Sequence, residues 1–249
     1  MTLRLLVGLL NMTLGVVYTS YGFMAMSDLR RGVATRGELH FGRAWVAMAF
    51  TCGPHHFEHG LHVLSGDRLG GFGDVVAVVA GLPAGVTWFA LRLEAFFGGR
   101  GDRHVSGTPA WVRALPYVGG AYALAMAGAA LRLLTKDASL RPVLAPNLWL
   151  VVLYVMIGWY LGKTQIRAHD AIGGWSLSGL SLTVVFPTCA VMHASWVVYA
   201  AAGLYDIPSH LLTIDWLAVP SALYFVWVVR ALYRGELSEP APMKRAVVV

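Results

Sequence analysis

The sequence predicts an all-α protein, a polytopic bundle of seven transmembrane helices, and three observations predict it. Apolar residues fill 57% of the 249 positions and charged residues only 13%, about half the charged share of an ordinary soluble domain. The apolar residues run in blocks of roughly 20, the length that crosses a hydrocarbon layer about 30 Å thick. The connections between blocks are short, so none can fold as a soluble domain of its own. Residues 1–236 are read as one transmembrane domain. Residues 237–249, with Pro240, Pro242, Lys244 and Arg245, are read as a flexible cytoplasmic tail.

The first block, 5–27, follows Arg4 but runs past the length of a secretory signal and offers no small-residue cleavage site, so it reads as a retained helix. The next blocks are 44–65, 75–97, 111–134, 147–166, 174–203 and 211–233. The 19 basic residues are distributed unevenly around them. Arg30, Arg31, Arg36, Arg43, Arg92, Arg100, Arg103, Arg113, Lys163, Arg167, Arg230, Arg234, Lys244 and Arg245 fall on one face; Arg4, Arg68, Arg132, Lys136 and Arg141 fall on the other. The excess of cationic side chains on cytoplasmic loops puts the N-terminus outside and the C-terminus in the cytoplasm of a multi-pass plasma-membrane protein. The net charge of +6 is therefore a matter of topology, and no nucleic-acid motif accompanies it.

The second block contains TCGPHHFEHGLH, residues 51–62, with four imidazoles and a carboxylate. At 100° per residue His55, Glu58, His59 and His62 share a stripe about 100° wide, with His56 at its margin. Ionisable groups at membrane depth are costly unless they face the bundle or a wet cavity, so the stripe is expected to turn inward. Pro54 removes a helical hydrogen bond beside it. With the assigned orientation, His55 lies near the bilayer centre and His62 near the outer surface, roughly 10 Å away at 1.5 Å per residue. Counted from each helix midpoint, His59, His193 and Asp215 reach a similar depth on three helices, which proposes one outward-facing polar site. Pro187 and Pro220 stand near the same level. His40, His104 and His169 fall in cytoplasmic loops, and His210 and Asp206 in an outer one.

Imidazoles beside carboxylates or thiols suit zinc or copper, and an i, i+4 pair on a helix can chelate one ion. The candidate metal ligands are His55, His59, His62 and His193, and Glu58 or Asp215 is the candidate general base. Cys52 precedes His55 by three residues and Cys189 precedes His193 by four, so each thiol shares a helix face with an imidazole. Both thiols are also candidates for simple packing.

Three functional classes follow. The first is a metalloenzyme in which the ion activates water against a lipid or small-molecule substrate from the outer leaflet. Seven helices with an outer N-terminus resemble the alkaline ceramidase and adiponectin-receptor superfamily of zinc hydrolases. That family has HxxxH on its last helix, where this chain has only His210; its own HxxxH, His55 to His59, lies on the second. The second class is copper handling or electron transfer, including a b-type haem between His59 and His193. The His55–His59 pair and the later MHASWVVYAAAGLYDIPSH are similar to the histidine regions of seven-helix cytochrome-oxidase assembly factors. The third is a proton or ion pathway, or a pH sensor, through His55, His59 and His62. A retinal protein is disfavoured, because 211–233 contains no lysine for a Schiff base.

Overall fold

In a computed structural model the chain is described over residues 3–36, 39–65, 72–135, 141–201 and 212–238. These residues form seven helices: α1 (Leu3–Arg36), α2 (His40–Ser65), α3 (Phe72–Phe96), α4 (Ala110–Thr135), α5 (Arg141–Ile172), α6 (Leu177–Ala201) and α7 (Leu212–Arg234). Five of them, α1, α3, α5, α6 and α7, carry spans long and apolar enough to cross a membrane, the build of a helical membrane protein. The second helix is not among the five because the polar residues of its cluster break its apolar run. Arg68, Lys136, Asp206, His210 and nearly all of the 237–249 tail lie outside the described residues.

Six helices close a ring. The first packs on α2, α2 on α7, α7 on α5, α5 on α6, α6 on α3, and α3 back on α1, while α4 leans on α6 from outside. The sixth helix is the most enclosed, with 72% of its apolar span buried against 33–50% for the other four. The fourth carries Tyr117, Leu124 and Leu131 on its open surface, 81%, 77% and 64% exposed. Apolar side chains exposed on that scale suit a bilayer and not water.

The tightest seam joins α1 to α2 and is made by glycine. Gly8, Gly15 and Gly22 recur every seventh residue on α1, and Gly53 and Gly60 do so on α2. A methyl group at Gly53 would meet Thr19 Oγ1 and come within 2.9 Å of the Thr19 backbone nitrogen; one at Gly60 would come within 3.0 Å of the Gly8 carbonyl oxygen. Small residues let the two backbones approach where lipid gives no hydrophobic drive, and a seven-residue repeat keeps the seam on one side of both helices. On α1 the residues one position on, Leu9, Val16 and Phe23, point outward and are exposed.

At the end where α2 starts, two short strands, β1 (His104–Val105) and β2 (Trp175–Ser176), pair antiparallel. They shorten the expected helix over 174–203, because Gly173 ends α5 at φ +69° and the chain turns into β2 before α6 begins. Asp102 then caps α6: its Oδ1 accepts from the Ser178 backbone N–H at 2.9 Å and its Oδ2 from the Ser176 hydroxyl at 2.6 Å. His40 and His169 are not simple loop residues. His40 opens α2 and bonds the Tyr224 hydroxyl at 2.8 Å, and His169, near the end of α5, lies against Trp175 with ring centroids 4.7 Å apart.

Candidate metal centre

The fold brings side chains from four helices to one buried point. His55 of α2, His193 of α6 and Asp215 of α7 are buried, and one ligand atom of each lies within 4.8 Å of the others. Such a group could hold a metal ion. His55 Nδ1 is 3.0 Å from Asp215 Oδ1, and the His55 and His193 rings are 4.5 Å apart between centroids, tilted by 40°. Asp215 has no exposed surface and stands in the first turn of α7, where the helix dipole favours an anion. Holding a charge in so enclosed a carboxylate is costly unless a cation is paired with it.

The fourth member, Asn147 of α5, fixes the chemistry of the rest. Its amide Nδ2 donates to Asp215 Oδ2 at 2.5 Å, which leaves Oδ1 facing His193 Nδ1 at 2.6 Å. An amide oxygen only accepts, so His193 carries its proton on Nδ1 and its Nε2 keeps a lone pair. An outer-shell residue that orients a ligating histidine does this work in metal sites. The Tyr154 ring closes the far side, edge-on to His193 at 5.3 Å.

Other members of the sequence cluster lie elsewhere. His59 is buried but does not join the group of three; the α2 residue that meets His193 and Asp215 is His55, one turn earlier. Depth counted along helix axes ignores tilt and the bends that Pro54, Pro187 and Pro220 introduce, and one turn is within that error. Glu58 is buried with its Oε1 3.7 Å from His62 Nε2, and His62 is half-buried near the end of α2. Glu58, His59 and His62 thus follow the site along α2 toward its C-terminal end. On the other side, Trp45, Trp88, Phe186 and Phe225 pack together, with Trp45 stacked 4.5 Å from Trp88 and edge-on to Phe225 at 5.1 Å. The polar line therefore runs toward the C-terminal end of α2 and meets aromatic rings toward the other end.

Neither cysteine pairs with the histidine on its own helix face. Cys52 Sγ meets the Tyr154 hydroxyl at 3.2 Å, and Cys189 Sγ meets Nε2 of His56, across the bundle, at 3.7 Å. His56, at the margin of the α2 stripe, is also buried, because that margin is where α1 and α6 close in. Its Nδ1 bonds Asn11 Oδ1 at 2.9 Å, while Asn11 Nδ2 donates to the Val7 carbonyl at 3.1 Å.

The two asparagines that hold these histidines are the only ones in the chain, and that scarcity was a usable signal in the sequence. No family model matches the chain, and neither the characterised proteins nor the solved structures compared with it contain a match.

Proposed function

We propose that the chain is a seven-span plasma-membrane metalloprotein, with its N-terminus outside, whose His55, His193 and Asp215 bind one divalent transition metal, zinc in the first place. The observation that carries this reading is the convergence of two imidazoles and a carboxylate from three helices, with Asn147 bonded to both His193 and Asp215. Three protein ligands on zinc leave a fourth position for water, the arrangement of catalytic and not of structural zinc sites. Taking bonds of about 2.0–2.1 Å, a 3.0 Å separation of His55 Nδ1 and Asp215 Oδ1 corresponds to an angle near 95° at the ion, and an opening of a few tenths of an ångström makes it tetrahedral.

A bound divalent ion supplies a water molecule polarised enough to react near neutral pH. The residues of the chain do the rest. Asn147 holds both the carboxylate and the imidazole in place, and the aromatic plug closes one side to bulk water. Glu58, one turn beyond His55 along the polar line, is the candidate general base, with His62 as its contact toward the end of α2. A lipid or small molecule from the outer leaflet is the substrate class that a polar line running toward one end of the bundle favours, and hydrolysis is the reaction. A copper ion in the same ligands is a variant of this reading. Haem b is less well supported, since the ring that faces His193 at 4.5 Å is His55, with no room between them for a macrocycle. A proton relay is the second reading, favoured by the direct His55–Asp215 contact; the aromatic plug argues against a continuous path across the bundle.

Elemental analysis and an absorption spectrum of purified protein test this. The expected result is one zinc per chain, no Soret band, and loss of the zinc in His193→Gln. A protein that binds no metal after loading removes the metal reading and leaves the proton relay.

A further inference from the structure

A second set of soft ligands lies at a different point of the bundle. The chain has two cysteines, one on α2 and one on α6, and both line a single apolar cavity of about 20 Å³. That is room for one atom-sized guest. Met48, one turn before Cys52, lines the same cavity, and Tyr18, Trp45 and Phe186 are among its aromatic walls. At its edge Cys189 Sγ faces His56 Nε2 at 3.7 Å.

Asn11 sets the state of that imidazole. Its Nδ2 is committed to the Val7 carbonyl, so Oδ1 accepts from His56 Nδ1–H, and the Nε2 lone pair points at the sulfur. The arrangement thus contains a fixed imidazole donor, a thiol opposite it, and a second thiol and a thioether on the wall beside them.

We infer that Cys189 and His56, with a sulfur from Cys52 or Met48, form a binding site for monovalent copper. Thiolate, thioether and imidazole in an apolar cavity select a soft ion. With bonds of about 2.3 Å to sulfur and 2.0–2.1 Å to nitrogen, atoms 3.7 Å apart subtend roughly 115° at a shared ion. That angle is close to trigonal and leaves a third position for the sulfur of Cys52 or Met48, both of which line the cavity that Cys189 lines. Charge selects the same ion. Copper(I) with one thiolate is neutral, whereas a divalent ion would leave a net positive charge in an apolar, aromatic-walled space. Binding replaces the S–H proton of Cys189 by the copper ion and releases that proton to solvent; copper stays monovalent throughout.

The test uses the full chain in lipid nanodiscs, reduced and free of oxygen, titrated with copper(I) against a chromogenic copper(I) chelator. One copper(I) per chain is expected, with an affinity at least about 100-fold lower in Cys189→Ser and in His56→Gln, and unchanged in Asp215→Asn. The last arm separates this site from the zinc centre, whose failure would leave copper binding intact. X-ray absorption on the copper-loaded wild type depends on no variant and should show two sulfur neighbours and one imidazole nitrogen. Copper left entirely with the chelator, a neighbour shell of nitrogen and oxygen alone, or variants that bind like the wild type would overturn the inference.

Discussion

His193 and His56 are gripped in the same way and face different company. Each is buried, and each gives its Nδ1 proton to an asparagine. The asparagines differ in what holds them. Asn147 is oriented by the Asp215 carboxylate, and Asn11 by a backbone carbonyl one turn up its own helix. His193 stands with another imidazole and a carboxylate; His56 stands with a thiol. On the proposed readings the same device serves a site with a carboxylate between α2, α5, α6 and α7 and a sulfur-rich one between α1, α2 and α6. The imidazole is common to both, so the neighbour decides which ion each site can take.

The comparison breaks most sharply at Asp215. Asp215→Asn removes the only carboxylate of the convergent group and should weaken zinc binding by at least about 100-fold, as read by titration against a zinc chelator, with copper(I) binding untouched. Next in size is Asn147→Leu. It frees the His193 tautomer and leaves Asp215 one donor short, so zinc affinity should fall about 10- to 100-fold while the bundle still folds. If Asn147→Leu binds zinc like the wild type, the asparagine is packing and not a positioning residue.

Gly53→Ala sharpens the comparison from the side of the scaffold. The added methyl meets Thr19 at the seam that carries Asn11 to His56, and should cost about 1–3 kcal/mol of stability, seen as a lower melting temperature in detergent. Copper(I) affinity should drop more than zinc affinity, because α1 contributes to the soft site alone. The smallest expected effect is that of His62→Gln. Its pair with Glu58 is a partly buried i, i+4 contact at 3.7 Å, worth about 0.5 kcal/mol, and neither metal affinity should move.

Much of the fold was legible because apolar blocks are a strong signal, and each expected span overlaps a helix among the described residues. The helix ends were less legible. Apolarity reports the part of a helix that suits lipid, whereas α1 continues to Arg36 and α5 to Ile172 through residues that suit water. The β1–β2 pairing was not legible, since two residues carry no period. At the site, His55, His193 and Asp215 stood out because ionisable groups are rare and costly in apolar helices. Asn147 and Asn11 did not, because a neutral amide barely alters hydropathy, although both sit within helices and both bond to histidine. His56, at the margin of the stripe, is buried for a geometric reason: a helical wheel assigns one inward face, and in a closed ring α2 has inward neighbours on two sides, α1 and α7.

The central claim is that His55, His193 and Asp215 share one divalent ion. Zinc-edge X-ray absorption on metal-stripped, zinc-reloaded protein tests it most directly. The account predicts one zinc per chain in a shell of nitrogen and oxygen only, with the multiple scattering of two imidazoles, and loss of that signal in Asp215→Asn. Sulfur in the zinc shell, or an unchanged spectrum and stoichiometry in Asp215→Asn, would contradict it.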